Sequence, residues 1–538
     1  MEKSVILKTS ISKKMKESVR WLSVAVLVLA PAGLRAQYAW QWDEEPVKTK
    51  LQPLHGLTYD VELQASGSKG KTPLWLNANK YGLSSLEKGN GYLRGQLYRS
   101  LDNDSTRRWG IGYGVDMAGA VHYQSKVILQ QAYIEGRWLH GVLTIGAKEQ
   151  PLQLKNDRLS SGSQTLGINA RPFPEVRLAL PKYWTIPALG RWFHIKGHIS
   201  YGMYTDDNWE ASFTNRQSKY TSDVLIHSKA GYLMIGKPEA FKPFSVELGL
   251  EMAAQFGGTS YRPNDKVPVV KGGHSLKDFW NVFLPGGSDA TDGVYGNKEG
   301  NQLGSWVGRI NWDAELWSAH LYYDHFFEDH SQMFFLDYDG YGSGDNYMTW
   351  EKLRYYLYKL KDNMIGFELN LHYSRWLRDI VIEHLYTKYQ SGPYNHDHTR
   401  NIPDHMAGMD DYYNHANFTG WQHWGQVVGN PLYRSPIYNE DGTIHVDNNR
   451  FNAWHLGFDG QPSERLGYRV LVSYQDGLGT YGIPYDDIHH NVSFLVEANY
   501  LFPHGWQLTA GYGMDFGAIL GHNAGLQMTI AKKGLLKL

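Results

Sequence analysis

The sequence predicts an all-β protein, a transmembrane antiparallel β-barrel with short helical segments in its loops or at its periplasmic end. Strict alternation is the first reason. Apolar residues alternate with small or polar ones in four stretches, 109–121, 193–203, 244–256 and 306–316. Because strand side chains alternate between two faces, each stretch has one apolar and one hydrophilic face. Each is also about as long as the tilted strand of roughly 9–11 residues that crosses a bilayer.

The alternation also predicts which side chains face lipid. In 244–256 the even positions are apolar, whereas Glu247 and Glu251 occupy odd positions. We therefore predict that Leu248 faces lipid and that Glu247 does not. In 109–121 the even, inward positions are small or polar: Gly110, Gly112, Gly114, Asp116, Ala118 and Ala120. Such a row predicts that something packs tightly against this part of the wall.

Composition and length are the second and third reasons. Aromatic residues make up 14% of the chain, with 37 Tyr and 19 Trp, yet the mean hydropathy is −0.47. Barrels combine these properties because their apolar residues alternate with polar ones while Tyr and Trp gather at both membrane interfaces. About 500 residues follow the N-terminal segment, which is enough for some 16–18 strands of bilayer length.

Residues 1–36 have the pattern of a secretory signal peptide. Basic residues precede an apolar stretch at 21–34, and Ala36 ends a Leu-Arg-Ala sequence typical of a cleavage site. We predict a signal peptide over 1–36 and one barrel domain over 37–538, exported through the periplasm to the outer membrane of a Gram-negative bacterium. Met15 is an alternative start that would give a more compact signal.

Charge and cysteine content exclude several partners and chemistries. The formal net charge is −1, and removing the seven basic and two acidic residues of 1–36 leaves −6 (−1 − 7 + 2). A chain without basic excess is a poor ligand for nucleic acid. The chain contains no cysteine, which excludes disulfides, thiol catalysis and cysteine-bound metals.

Three stretches depart from the strand pattern. The helical spacing of large apolar residues predicts a helix over 348–361, with an aromatic strand as the alternative. Ser275 and Asp278 form a capping-box pattern that predicts a helix over 276–283. Four prolines predict that 171–187 is an extended loop, because proline cannot donate to a strand ladder.

The longest irregular stretch, 390–449, is the candidate binding region. It places rings beside Asn, Asp, Gln and His, a combination that stacks on sugar faces and hydrogen-bonds to sugar hydroxyls. We predict a glycan contact here, outside the membrane, at Tyr412, Tyr413, Asn414, His415, Trp421 and Trp424. The alternative is that the rings form an interfacial girdle or pack the loop onto the barrel rim.

Metal and catalytic patterns are incomplete. Five histidines of this stretch lack a Glu or Cys at a recognised metal-site spacing, so we interpret them as solvated loop residues: His396, His398, His405, His415 and His423. The calcium-like sequence at 337–345 lacks the spaced ligands of a known loop. The sequence carries no hydrolase or phosphate-loop motif. We therefore predict no metal, no cofactor and no catalysis.

Six short sequences, spread over the chain, carry a resemblance to a known family. They are Pro73-Leu74-Trp75-Leu76-Asn77-Ala78-Asn79 with Gly82, Gln130-Gln131-Ala132-Tyr133, Asn169-Ala170-Arg171-Pro172-Phe173-Pro174, Tyr323-Asp324-His325-Phe326-Phe327-Glu328-Asp329-His330-Ser331, Gln390-Ser391-Gly392-Pro393 and Gly429-Asn430-Pro431-Leu432. Together they resemble the Wzi family of capsule assembly proteins, in its Bacteroidetes branch. The resemblance implies an outer-membrane barrel of about 18 strands with a small helical bundle at its periplasmic end. It also implies a lectin that helps hold capsular polysaccharide on the cell surface.

We therefore expect a non-enzymatic barrel that binds capsular or surface polysaccharide. Outer-membrane lipid and the outer-membrane assembly machinery are its further expected partners. The main rival is a channel lined by inward Arg309, Asp313 and Glu315. A glycan hydrolase is the third interpretation, but its candidate carboxylate pairs, 328–329 and 410–411, are adjacent residues that point apart on extended segments.

Overall fold

The computed structural model describes most of the chain beyond its N-terminal segment. The described ranges are 52–263, 268–284, 300–328, 361–390 and 410–536, with the short pieces 335–337, 344–346, 348–349, 354–356, 395–396 and 405–406. The predicted signal peptide, 1–36, lies outside these residues.

Eighteen antiparallel strands form a closed barrel, which confirms the predicted fold class. In chain order they are β1 (Leu57–Lys69), β2 (Gly89–Arg99), β3 (Trp109–Val121), β4 (Val127–Trp138), β5 (Gly141–Ala147), β6 (Glu175–Thr185), β7 (Phe193–Met203), β8 (Tyr220–Gly236) and β9 (Phe244–Tyr261), then β10 (Asn301–Asp313), β11 (Trp317–Glu328), β12 (Asn363–Leu371), β13 (Asp379–Tyr386), β14 (Phe451–Gly460), β15 (Leu466–Gly479), β16 (Pro484–Phe502), β17 (Trp506–Gly517) and β18 (Asn523–Leu535). Each strand pairs with the next, and β18 pairs with β1 from Leu535 opposite Thr58 to Ala524 opposite Lys69. The closed sheet leaves no unpaired edge in lipid.

Shorter elements lie in the connections. Among the described residues the α-helices are α1 (Leu74–Asn77), α2 (Trp209–Phe213) and α3 (Leu276–Phe283). Short strands are found at Val269–Lys271, Phe335–Asp337, Arg354–Tyr356, Asn395–His396, His405–Met406, Gln422–His423 and Gln426–Val427. Within the described ranges, none of the helices is long and apolar enough to cross a membrane.

The two ends of the barrel differ in their connections. At one end the strands are joined by turns such as 139–140, 314–316 and 503–505. At the other end the connections include 148–174 and 387–450. Outer-membrane barrels have short periplasmic turns and longer extracellular loops, so the short-turn end is assigned to the periplasm. The three α-helices found in the described ranges belong to the long connections.

The outer surface follows the predicted alternation. On β9 Leu248 is 51% exposed and faces outward, whereas Glu247 is 7% exposed and faces the lumen. There Glu247 accepts hydrogen bonds from the Tyr183 hydroxyl and the Asn311 amide. Near the short-turn end Trp109 and Trp138 stack with ring centroids 5.9 Å apart and face outward, as in an interfacial girdle.

We expect Leu248→Arg to destabilise the barrel by about 2–4 kcal/mol, because a cation near the bilayer midplane loses its hydration. Urea titration of the protein folded in lipid vesicles measures the change. Glu247→Gln is the control at the adjacent position, since glutamine keeps the size, its oxygen can accept from the Asn311 amide, and its NH2 group can donate to the Tyr183 hydroxyl oxygen. Equal losses in the two variants would contradict the assigned faces.

The prediction of an extended loop over 171–187 is wrong in part. The proline-rich stretch was expected to be loop throughout 171–187, yet β6 begins at Glu175 and contains Pro181. The pairing with β7 shifts register between Leu180 and Trp184, and this interruption accommodates a proline that has no N–H to donate.

The helix predictions have opposite outcomes. The helix over 276–283 is confirmed as α3, and Asp278 accepts hydrogen bonds from the backbone N–H and hydroxyl of Ser275. The helix predicted over 348–361 is wrong where the structure describes it. Arg354–Tyr356 is a short strand paired with Phe335–Asp337, as the alternative interpretation has it.

Four long connections fold into the barrel and form what we call the plug: 70–88, 148–174, 204–219 and 410–450. Buried apolar residues of the plug pack against inward residues of the wall in one cluster, which includes Leu76, Leu159, Tyr412, Tyr413, Trp421, Val427 and Tyr433 from the plug and Tyr322, Phe326, Leu385, Phe451, Leu471 and Leu495 from the wall. Wall glycines make room for it, since a Cβ on Gly513 would lie 2.9 Å from the Leu76 side chain. On β3 the glycines instead make room for neighbouring strand residues, with Tyr133 over Gly114.

Candidate functional site

The predicted binding residues lie inside the barrel. The expectation that 390–449 forms an outer loop is wrong for 410–449, which belongs to the plug. Tyr412, Tyr413 and Trp421 are completely buried, and Trp424 and Asn414 are nearly so. His415 is half-buried. The glycan contact predicted at these six residues stays a prediction, but as packed here they do not form an outer stacking surface.

The tyrosine pair is held by the barrel wall. The backbone N–H of Tyr413 donates to Glu328 at 2.5 Å, and the Tyr412 hydroxyl donates to Asp362 at 3.0 Å. The Tyr413 ring lies 5.6 Å from the Phe326 ring and nearly parallel to it. These contacts are those of a packed core, which is the alternative considered for the rings.

Inward carboxylates of the wall anchor other parts of the plug. Glu383 accepts hydrogen bonds from the Ser160 hydroxyl at 2.5 Å and from the Ser161 N–H at 2.8 Å. Asp515 accepts from the Leu74 N–H at 3.1 Å. The sequence analysis did not predict these anchors. The signal that could have found them is the presence of acidic residues at inward positions of alternating strands.

A buried glutamate joins two plug connections. Glu210 of α2 accepts hydrogen bonds from Thr221 on β8 and from Thr419 and Gln422 in 410–450. Burial raises the pKa of Glu210 to about 7, although the hydrogen bonds from Thr221 and Thr419 oppose this rise.

Of the five histidines that were predicted to be solvated, the structure describes the burial of His415 and His423. His423 is buried, and burial lowers its pKa to about 4, so its ring is neutral at pH 7. Nδ1 donates to the Arg171 carbonyl at 2.7 Å, and Nε2 accepts from the Thr205 N–H at 3.3 Å. The solvated interpretation is therefore wrong for His423, and for His415 it is wrong in part. Among the described residues no group of three His, Asp or Glu side chains could hold a metal ion.

The solvent-facing part of 410–450 is polar. His445 lies 3.5 Å from Asp411 and 3.2 Å from Asp447, and Asp447 also pairs with Arg434 at 2.8 Å. Partial burial opposes the charge on His445, but hydrogen bonds and attraction from the two carboxylates outweigh it and raise the pKa of His445 to about 9. This cluster is internally paired and leaves no charge uncompensated.

A cavity of about 110 Å³, which we call the wall cavity, separates the plug from β6, β7 and β8. A buried water needs roughly 10–15 Å³ on this measure, so the cavity has room for on the order of ten waters. Rings and hydrogen-bonding side chains line it, among them Tyr81, Gln150, Gln153, Arg171, Phe173, Arg177, His198 and Tyr232. Such a mixture of apolar walls and placed polar groups is typical of small-molecule sites.

Arg171 is the unusual group of the wall cavity. The residue is 6% exposed, and neither Nε nor Nη2 makes a hydrogen bond. Its guanidinium lies 4.2 Å from the Trp424 ring, which is a cation–π contact. Burial lowers the pKa of Arg171 to about 10, so the group is still charged at pH 7. By contrast, Arg177 pairs with Glu175 at 3.5 Å.

The sequence anticipated only part of this arrangement. Trp424 was among the predicted contacts, and Arg171 and Phe173 belong to one of the sequences that carry the family resemblance. Tyr81, Arg177 and Tyr232 were missed, because each comes from a different segment and no spacing along the chain connects them. Of the predicted channel-lining residues, Arg309 faces the lumen and pairs with Glu368 at 3.3 Å, whereas Glu315 lies in a turn.

Comparison with known proteins finds relatives by fold. Wzi from Escherichia coli, described as an outer membrane protein involved in group 1 capsule assembly and a carbohydrate binding β-barrel, matches with a TM-score of 0.53 at 13% identity, covering 88% of this chain and 83% of that one. OccK3 (OpdO) from Pseudomonas aeruginosa matches with a TM-score of 0.41 at 10% identity, covering 89% and 96%. OprD from the same organism matches with 0.43 at 6%, covering 92% and 98%.

Sequence comparison adds nothing to this. No family model matches the chain, and no curated protein matches it. At 13% identity the likeness to Wzi shows a shared fold, that of an outer-membrane β-barrel. The two Pseudomonas aeruginosa proteins superimpose too loosely to carry an argument.

Proposed function

We propose that this protein is a non-enzymatic outer-membrane lectin of the Wzi type, which binds capsular or surface polysaccharide and helps assemble or retain the capsule. The observation that carries the proposal is Arg171, a buried guanidinium with unpaired donors, stacked on Trp424 beside a cavity of small-molecule character. Burying a charge without a partner is costly, so a protein keeps such a group where a ligand supplies the partner. The carbohydrate-binding description of the E. coli relative supports the same direction.

The donor set favours acidic sugars. A guanidinium presents a planar fork of N–H donors that matches a carboxylate and pairs with it more strongly than with a neutral group. Phe173 and Tyr81 add ring faces to the same cavity, and Gln150 and Gln153 add amides for hydroxyl groups. We therefore propose a polysaccharide containing uronate or another carboxylated sugar.

The other proposed partners follow from the barrel. Its outward apolar rows suit contact with outer-membrane lipid, and we propose that a signal peptide over 1–36 is removed on export and that the outer-membrane assembly machinery inserts the barrel. Catalysis is not part of the proposal. Glu328, one of the candidate hydrolase carboxylates, instead accepts the Tyr413 N–H inside the packed plug.

We expect Arg171→Gln to weaken binding of an acidic polysaccharide by about 1.5–3 kcal/mol, the range for hydrogen bonds to a charged group. The free variant should be about as stable as the wild type, because Arg171 Nε and Nη2 make no hydrogen bond that would be lost, and removing a buried charge offsets the lost contact with the Trp424 ring. Titration calorimetry with a polyuronate, and with neutral dextran as the comparison ligand, measures binding to the folded protein in detergent.

Arg450→Gln is the matched control, since Arg450 stacks on Tyr481 at 3.7 Å and does not line the wall cavity. It should leave binding unchanged. Unaltered affinity in Arg171→Gln would contradict the assigned site. Loss of both affinity and stability would instead assign Arg171 a structural role.

The rival function is a channel, and the wall cavity is the route that it would use through the barrel. The wall cavity extends from Glu175, at the long-connection end of β6, to Tyr232, near the short-turn end of β8. The packed plug beside it favours binding over free passage. Planar-bilayer recordings distinguish the two, since a steady ohmic conductance of the wild type that polyuronate does not block would favour the channel.

A further inference from the structure

Part of the outer wall of the barrel is covered. The even residues of β9 face outward, and near the short-turn end Phe244 and Leu248 are exposed. Higher on the same row, Met252, Ala254 and Phe256 are almost completely buried. The pairing of β9 with β8 and β10 keeps one register along this row, so these three side chains still point outward.

The cover is α3, which lies on the outside of the barrel and not in its lumen. The Phe279 ring lies 5.0 Å from Phe256 on β9 and 5.2 Å from Tyr201 on β7. The Tyr201 hydroxyl donates to the Phe279 carbonyl at 2.9 Å. Lys229, which points outward from β8, donates to the Phe283 carbonyl at the C-terminal end of the helix, where a cation is favoured.

The other face of α3 has an exposed apolar stripe. Leu276 is 90% exposed, Trp280 60% and Leu284 50%. The spacing of four residues places them on one side of the helix. Apolar surface in water costs about 25 cal/mol per Å², so this stripe is unfavourable unless a non-aqueous phase covers it.

The height of α3 on the barrel identifies that phase. A strand tilted by about 40° rises roughly 2.5 Å per residue along the barrel axis. Met252 therefore lies about 20 Å above Phe244, near the upper edge of an apolar band about 25 Å tall. The stripe of α3 thus continues the lipid-facing surface that Phe244 and Leu248 form below it.

We infer that α3 is an interfacial helix that inserts Leu276, Trp280 and Leu284 among the acyl chains of the outer leaflet. Amphipathic helices of this kind lie in the plane of the membrane with their apolar face buried, and tryptophan is enriched at that depth. Lys271 and Lys277 are exposed beside the stripe and can reach the headgroup layer. The barrel is thereby anchored on one side, above β7, β8 and β9, independently of any glycan binding.

Site-directed spin labelling tests this directly, because the chain has no native cysteine. Trp280→Cys is labelled with a nitroxide in protein folded into vesicles of phosphatidylcholine and phosphatidylglycerol, and its accessibility to oxygen and to a water-soluble nickel complex is measured. Leu248→Cys gives the lipid-facing reference, and Asp441→Cys, in the exposed part of 410–450, gives the aqueous one.

We expect the oxygen-to-nickel accessibility ratio at the Trp280 site to be several-fold above that at the Asp441 site and close to that at the Leu248 site. A ratio equal to the aqueous reference would overturn the inference. Low accessibility to both reagents would also overturn it and would indicate a second protein chain on the helix. Leu276→Cys repeats the measurement, so a local distortion in one variant cannot decide the result.

Discussion

Trp421→Ala is expected to loosen the plug by about 3–5 kcal/mol while the barrel stays closed. The Trp421 side chain is completely buried in the cluster that joins plug and wall. Its backbone also organises the plug, because its N–H donates to Tyr413 at 2.9 Å and its carbonyl accepts from Val428 at 3.0 Å. Truncating the ring leaves a cavity that these backbone contacts prevent from collapsing.

The matched control is Trp421→Phe. The indole N–H of Trp421 makes no hydrogen bond, so phenylalanine removes an unsatisfied donor while it keeps most of the ring. Limited proteolysis within 410–450 reports on the plug, and heat-modifiable migration on a gel reports on the barrel. Protection of Trp421→Ala equal to that of Trp421→Phe would refute the packing assigned to this ring.

This result also separates the two tryptophans that were predicted together as sugar platforms. Trp421 could stack on a glycan only if the plug opened. Trp424 already lies against Arg171 at the wall cavity, and its indole N–H donates to the Thr205 carbonyl at 2.7 Å. A ligand in the wall cavity would therefore contact the guanidinium of Arg171, which in turn contacts the Trp424 ring.

The barrel was predictable because the alternation that specifies its strands is a local pattern. Alternation assigns Leu248 and Glu247 to opposite faces from their own neighbours, and closure follows from strands that recur along the chain. The capping pair Ser275 and Asp278 is equally local and correctly predicted α3. That α3 lies outside the wall was not predictable, since it depends on residues of β7 and β9.

The plug was not predictable for a physical reason. Rings beside Asn, Asp and His have the same composition whether they stack on sugars or pack among buried hydrogen bonds. Tyr412 is an example, because its partner Asp362 is distant in sequence and its burial depends on the closed barrel. Arg171 belongs to one of the sequences that carry the family resemblance. Only the folded chain, however, shows that its Nε and Nη2 atoms make no hydrogen bond.

Lys155→Met is expected to destabilise the protein by about 3–5 kcal/mol, because it leaves a buried carboxylate without its counter-ion. Lys155 of the plug donates to Asp324 on β11 at 2.7 Å, with side chains 2% and 0% exposed. The Asp324 Oδ1 atom has no hydrogen bond, so the lysine is the main compensation of this charge. The pair thus fixes the position of 148–174, the connection that forms one side of the wall cavity.

The double variant Lys155→Met/Asp324→Leu should recover most of that loss, because replacing a buried ion pair by apolar residues of similar size is often close to neutral. Urea titration of wild type, both single variants and the double variant gives the coupling energy. Arg158→Met is the control, since Arg158 lies 3.9 Å from Asp459 and is 57% exposed, and such a pair contributes about 1 kcal/mol or less. A double variant as unstable as Lys155→Met would mean that packing, and not the uncompensated charge, makes Lys155 necessary.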